Sequence, residues 1–250
     1  MPNKLTLGLI NWSGHGNLGD DAMARVLIKR FSKDFDVVNF GERPGRADWY
    51  ILGGGTLIAQ KSLFMQKIPY PERTIGISLG VSNGWEEYGL DKLKQFPLLF
   101  VRDFQSYDWL EAKGLSPKLS VDLLCALTPK PRVNESRVVG NFIPYHPHKS
   151  GYDDPDKTQI KLSPDDGAGQ YFTDANELLD LFSETGTAQV TRLHALVLAW
   201  LAGVPHIYGN SAYDEKIEGF LERVKRLTPE QARNIINRDL DHICQYLKSA

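Results

Sequence analysis

The chain has 250 residues with 42% apolar content and a formal net charge of -2, enough for one large domain or two small ones and too little positive charge for a nucleic-acid partner or a polybasic membrane anchor. Only Cys125 and Cys244 occur, far apart and without metal-ligand spacing, so free thiols in a reducing cytosol are expected in place of a disulfide framework or a zinc site. No charged leader with an apolar run and cleavage site opens the chain, and the longest apolar run, 195–204, is too short to cross a bilayer; a cytoplasmic protein without an integral membrane segment is expected, with peripheral membrane contact left open.

Short apolar runs alternate with amphipathic stretches, the pattern of βαβ units and a parallel sheet. Residues 5–11 read as a first strand, 14–21 as a glycine-rich loop, and 22–31 as a helix with Met23, Val26 and Leu27 at helical spacing. Strands follow at 36–40 and at 48–52, the latter ending in Gly53-Gly54-Gly55-Thr56. A fourth strand at 74–79 ends at Gly80, and a fifth at 98–101 ends at Arg102-Asp103. Residues 106–113 predict a helix with Ser106 as N-cap and Gly114 just past its end. A sixth short strand spans 119–122.

Pro129-Lys130-Pro131-Arg132 breaks the rhythm and marks a linker, dividing the chain into 1–130 and 131–250. The second unit opens with a strand at 137–143. A loop-rich insert at 144–170 follows, holding one short strand at 158–162. Next come a helix at 176–183, a strand at 188–190, an apolar helix that starts around Arg192-Leu193-His194-Ala195, and a strand at 206–208. Residues 213–225 are amphipathic through Ile217, Phe220, Leu221 and Val224. Thr228-Pro229-Glu230-Gln231 combines a capping box with Pro at the first helical position. It opens a last helix with a core stripe of Ile235, Ile236, Leu240, Ile243 and Leu247.

Ligands of parallel α/β sheets bind beyond the carboxyl ends of the strands, and the polar motifs fall there. A helix N-terminus offers free N–H groups and a positive dipole end. Arg192 adds a planar fork for phosphate or carboxylate, and His194 a proton carrier near neutral pH. Residues two apart lie about 200° apart on a helix, so the two converge only if Arg192 sits in the turn before it. Singly, each also reads as a cap and a satisfied core histidine. Gly53-Gly54-Gly55 permits close backbone approach to a ligand, or serves only as a tight turn.

Gly14-His15-Gly16-Asn17-Leu18-Gly19 matches the dinucleotide fingerprint. Asp20 and Asp21 would repel a pyrophosphate, and the strand at 36–40 lacks an acidic residue at its end for the ribose. A hydroxyl-bearing ligand suits the acidic pair better, unless one of them merely caps the helix. Arg102-Asp103 with Ser106 is either a structural ion pair or part of a ligand site. Asp122 is an acceptor, an arginine partner or a strand terminator. His146-Pro147-His148 with Asp153 and Asp154 fits no strong zinc pattern, so no metal is expected.

The ordered set of motifs resembles the polysaccharide pyruvyl transferase family. The residues that carry the likeness are Gly16-Asn17-Leu18-Gly19-Asp20-Asp21-Ala22, Gly53-Gly54-Gly55-Thr56-Leu57-Ile58, Gly76-Ile77-Ser78-Leu79-Gly80, Val101-Arg102-Asp103-Phe104-Gln105-Ser106, Asp122, and Arg192-Leu193-His194-Ala195 with Gly203-Val204-Pro205. The resemblance implies an α/β fold of two Rossmann-like domains facing a cleft, glycosyltransferase-B-like; this chain departs from the family in a second domain shortened between 137 and 174. It implies transfer of pyruvate from phosphoenolpyruvate to two sugar hydroxyls as a ketal, with phosphate released and neither metal nor redox cofactor. The acceptor side would then be the first domain and the donor side the second. Arg192, Leu193, Arg102, Gly54 and Gly55 would bind donor; His15, Asn17 and Asp103 would bind acceptor. His194 would be the general acid, and Asp20 or Asp21 would orient or deprotonate the acceptor. Two other readings stand beside it: a nucleotide-sugar glycosyltransferase of the same fold, and a non-catalytic sugar- or anion-binding module.

Overall fold

Apolar runs separated by helices can only pair in parallel when each helix carries the chain back across the sheet, and the first half of the chain does this repeatedly. The computed structural model describes residues 4–14, 17–58, 63–82, 89–132, 138–144, 158–161, 169–172, 174–190, 192–209 and 214–250. In chain order the first half holds β1 (Thr6–Ile10), α1 (Leu18–Phe31), β2 (Asp36–Gly41), β3 (Trp49–Ile58), α2 (Leu63–Lys67), β4 (Thr74–Val81), α3 (Leu90–Leu93), β5 (Leu99–Val101), α4 (Phe104–Ala112) and β6 (Lys118–Leu119). The strands form one six-stranded sheet in the order β2-β1-β3-β4-β5-β6, and every neighbouring pair is parallel.

Three local expectations change. The glycine triplet does not end the third strand: β3 runs on through it to Ile58. Gly54 and Gly55 sit at φ 73° and 85°, and the register with β4 shifts beyond Gly55, so the triplet bends the strand. The N-cap of α4 is Asp103, which accepts the Ser106 N–H at 2.7 Å. Ser106 instead accepts the Val81 N–H through its hydroxyl at 2.9 Å, tying β4 to α4. The sixth strand stops at Leu119, and Asp122 caps a short 3₁₀ turn, Leu123–Ala126. Gly114 does take the left-handed conformation after α4, at φ 77°.

The second half holds β7 (Val138–Pro144), β8 (Thr158–Lys161), β9 (Gly169–Tyr171), α5 (Ala175–Ser183), β10 (Thr185–Val190), α6 (Leu193–Leu201), β11 (His206–Gly209), α7 (Asp214–Val224) and α8 (Pro229–Ser249). Its sheet has the order β11-β10-β7-β8-β9. The β11-β10-β7 part is parallel, whereas β7-β8-β9 is antiparallel. The insert expected to hold one strand therefore contributes two. β9 is three residues long and has no alternation that a sequence pattern could register.

The last helix returns to the first sheet. Its capping box is formed as expected, with Thr228 and Gln231 each bonding the other's backbone. Ile236, Leu240, Ile243 and Leu247 are buried, and Ile235 is partly so. Tyr246 meets Trp49 edge-on at 5.7 Å and His242 meets Phe100 at 6.0 Å. Ion pairs Lys248–Asp34 and Arg30–Asp241 flank the contact. In α7, Ile217, Phe220 and Val224 are buried but Leu221 is exposed, so the apolar stripe is narrower than its pattern suggests. One cluster of buried side chains runs from α1 through the 3₁₀ turn to α5, α6, α7 and α8, and a second fills the other face of the first sheet.

Candidate anion-binding site

The loops and strand ends that carry the polar motifs meet at one cavity of about 310 Å³. Trp12 follows β1, and Asn17 and Asp20 come from the start of α1. Gly55, Thr56 and Leu57 come from the bent end of β3, and Arg102 directly follows β5. Arg192, Leu193 and His194 open α6 beyond β10, and Lys216 reaches in from α7. Phe64 closes the apolar side, its ring edge-on to Trp12 at 5.8 Å.

Arg102 forms the floor. It is buried, and its Nη1 donates to Asp122 at 3.3 Å while Nη2 donates to the Thr56 hydroxyl at 3.0 Å. Nε lies 3.6 Å from the Asp103 carboxylate. A Cβ on Gly80 would stand 3.0 Å from the guanidinium, so Gly80 leaves the room it fills. Asp122 is buried and also accepts the Leu124 N–H at 3.0 Å. Of its three candidate roles it therefore fills that of arginine partner, and it caps the turn as well. Ser78, in the left-handed region at φ 55°, accepts the Leu123 N–H and pins the same turn.

Arg192 is the N-cap of α6, with extended backbone at φ −124° and ψ 144°. This is the placement before the helix that lets it share a cavity with His194. The Arg192 side chain makes no capping bond to α6, and Arg192, Leu193 and His194 at the start of the helix line the cavity, so the positive end of the helix lies at the cavity wall.

The His194 ring is half-buried and lies against α1: a Cβ on Gly19 would be 1.9 Å from its Nδ1. Burial drives its pKa down to about 4, with Arg102, Arg192 and Lys216 adding to the effect and Asp122 opposing it. A low-dielectric site crowded with cations thus disfavours the imidazolium that a general acid needs near pH 7.

The acidic pair separates. Asp20 is buried on the cavity side, its carboxylate 3.1 Å from where a Gly55 Cβ would stand. Asp21, about 100° further round the helix, opens on a different groove and accepts the Gly14 N–H at 2.7 Å. Neither caps α1; Asn17 does, accepting from Gly19 and Asp20 at 3.1 Å each. Asn17 thus lines the cavity with its amide oxygen already engaged. Asp103 is taken up by α4 and Arg102 and does not line the cavity. Gly54 also stands away from it, packed so that a Cβ would be 2.6 Å from the Met23 sulfur. His15, His146, His148, Asp153 and Asp154 lie outside the described residues. Among the described residues no group of three or more His, Cys, Asp or Glu could hold a metal ion.

Sequence reasoning missed Lys216, Trp12 and Phe64. Lys216 precedes Ile217 in an amphipathic helix and reads as a solvent-facing residue. In the structure it is half-buried, its pKa lowered by burial and by Arg102 and Arg192 against the pull of Asp20 and Glu215. A larger, open hollow of about 630 Å³ lies along α8 between Asn234 and Gln245, its lining charges Arg238 and Asp241 of opposite sign.

The polysaccharide pyruvyl transferase family matches residues 17–209, a span that includes every described lining residue except Trp12 and Lys216. No curated protein matches the chain. Among solved structures, an uncharacterised protein of Klebsiella pneumoniae subsp. pneumoniae is similar over 91% of each chain, with a TM-score of 0.55 and 15% identity. At that identity the likeness concerns the fold. Among the described residues no helix is long and apolar enough to cross a membrane.

Proposed function

The chain belongs to the polysaccharide pyruvyl transferase family, and from that premise we propose that it transfers pyruvate from phosphoenolpyruvate to two hydroxyls of a sugar or glycan as a cyclic ketal, in the cytoplasm, releasing phosphate. The observation that carries the reading is the convergence of Arg102, Arg192 and His194 with Asp20 on one cavity. We read the two sheets as two Rossmann-like domains, 1–130 on the acceptor side and 131–250 on the donor side, in a glycosyltransferase-B-like arrangement.

In this reading the donor's carboxylate and phosphate meet Arg192, Arg102 and the start of α6. The donor brings roughly three negative charges beside His194, and these draw its pKa back up. The imidazolium then gives a proton to the methylene carbon, and C2 becomes electrophilic. One sugar hydroxyl attacks C2, with Asp20 accepting its proton. The C2–O bond to phosphate breaks, and the second hydroxyl closes the ketal as its proton leaves with the phosphate. One hydroxyl proton thereby replaces the proton given to the methyl group, and the other ends on phosphate. The steps balance without a redox cofactor or a metal. Asp20, and not Asp21, takes the acceptor-side role.

A cavity of about 310 Å³ lies at the small end of ligand pockets and has room for a three-carbon phosphoester. Calorimetry with phosphoenolpyruvate and with uridine diphosphate, using Arg192→Ala as control, tests the reading. Phosphoenolpyruvate binding lost in the variant supports it. Binding of uridine diphosphate alone replaces it with a glycosyltransferase. Ligand binding with no phosphate release across a panel of acceptors replaces it with a binding module.

A further inference from the structure

We propose that Lys216 is a third cation of this site and holds the phosphoryl group of the donor as it leaves. The inference rests on the reading of the cavity as a phosphoenolpyruvate site.

Lys216 reaches the cavity because of how α7 is seated. Ile217, Phe220 and Val224 bury one side of the helix. Gly219 lies against the start of α4, where a Cβ would be 3.5 Å from the Asp103 side chain. Residues three apart share a helix face, so Lys216 faces the same Arg102-Asp103 corner that Gly219 touches. The fold thus directs the lysine into the cavity with Arg102 and Arg192.

Charge decides what such a corner takes. The described lining carries Arg102, Arg192 and Lys216 against the single carboxylate of Asp20. Asp122 from beneath and Asp103 from the side offset Arg102. Three like charges held together in a partly desolvated space repel one another. An anionic ligand between Arg192 and Lys216 relieves that repulsion.

Side-chain chemistry divides the work. Arg102 is fixed by Asp122 and Thr56, so it supplies charge at a set position. Arg192 supplies a planar fork suited to a carboxylate. Lys216 is a compact charge on a flexible stem, able to follow phosphate as the C2–O bond lengthens and negative charge gathers on the departing oxygen.

The test uses inorganic phosphate as the probe in calorimetry, with the full chain and the variants Lys216→Gln and Lys216→Arg. Phosphate release from phosphoenolpyruvate is followed in parallel. Lys216→Gln is expected to weaken phosphate by about tenfold or more, the effect of one charge-assisted bond, and Lys216→Arg to stay within about threefold of the parent. A matching loss in kcat/KM for the donor is expected, with thermal melting unchanged or raised as the repulsion among the cations is relieved. If the Gln variant does not fold, Lys216→Met repeats the comparison. Phosphate affinity unchanged in Lys216→Gln or Lys216→Met overturns the inference, and undiminished turnover there does so while leaving the pyruvyl transfer reading standing. Lys216-dependent phosphate binding without any donor turnover supports Lys216 as the phosphate ligand and removes the pyruvyl transfer reading instead.

Discussion

The imidazole of His194 occupies the space that a side chain at position 19 would need: a Cβ on Gly19 would fall 1.9 Å from Nδ1. Gly19 lies in the first turn of α1, where alanine would ordinarily stabilise a helix by about 0.5–1 kcal/mol. Here Gly19→Ala is expected to displace the ring and lower turnover by at least about 10², the lower end of what a general acid contributes. Thermal melting should show a destabilised protein. In the double variant Gly19→Ala/His194→Ala the ring contacts are gone and only the 2.6 Å approach to the Cβ of residue 194 stays, so stability should recover in part while turnover does not. Recovery of turnover in the double variant would remove His194 as the acid.

Asp20 and Asp21 are neighbours in sequence and point to different grooves. Asp20→Asn is expected to reduce kcat by about 10² or more as the proton acceptor is lost. Asp21→Asn should keep kcat within about threefold and loosen only the bond to Gly14, since one neutral hydrogen bond in place of a charged one costs about 1 kcal/mol. Equal losses in the two variants would contradict the separation.

Arg102 and Asp122 are a buried pair, and removal of one partner leaves the other charge without compensation. Arg102→Ala is expected to lower stability by about 3–5 kcal/mol, read from urea denaturation at neutral pH. Arg102→Lys cannot bridge Asp122 and Thr56 with a single ammonium as the two guanidinium nitrogens do. Donor affinity should therefore fall in it as well. A stability loss below 1 kcal/mol in Arg102→Ala would mean that Asp122 finds another partner.

The pH dependence follows from His194. Its folded pKa lies near 4 against an ordinary 6.5, so the unfolded chain takes up this proton first. The stabilisation is complete above pH 6.5 and is lost as pH falls from 6.5 toward 4. Denaturation measured across that window should show a shallower slope in His194→Gln. Binding of phosphate should raise the pKa, so calorimetry at pH 5.5 in buffers of different ionisation enthalpy should detect more proton uptake in the parent than in His194→Gln. Identical uptake would place the anion away from the ring.

Both cysteines are buried, with thiol pKa values pushed upward, Cys125 well above its ordinary value by burial and by Asp122, and Cys244 by burial. The thiolate is the reactive form. Neither residue should react with a thiol reagent in the native protein, and both should react on unfolding in urea. Rapid labelling of Cys125 in the native state would mean that the core beneath Asp122 opens.

Elements with strong local signals were legible in the chain itself. Thr228 and Gln231 mark the start of α8, and Gly114 the end of α4, because caps and left-handed turns depend on residues within four positions. The parallel first sheet followed from apolar runs alternating with helical spacing. The Arg192-His194 pair was visible as well, since a charged residue and a histidine heading a buried helix stand out locally. The N-cap of α4 was misplaced at Ser106 because Ser and Asp are equally good caps. Which one serves depends on Ser106 being engaged by Val81 of a neighbouring strand. The strand β9 lay outside reach because three residues carry no period.

The sequence by itself determined the longer helices, the strands of the first sheet and the residue types at their carboxyl ends, since these are set by propensity, spacing and capping over a few residues, whereas the short α2 and α3 carry too few residues for a helical period. Only the tertiary structure decided that Asp20 and not Asp21 joins Arg102 and His194, that Asp103 serves α4 and the Arg102 corner, and that Lys216 points inward. Those outcomes depend on the azimuth of α1 against β3 and on the seating of α7 against α4. Long-range packing fixes both, and no residue's neighbours in sequence encode it.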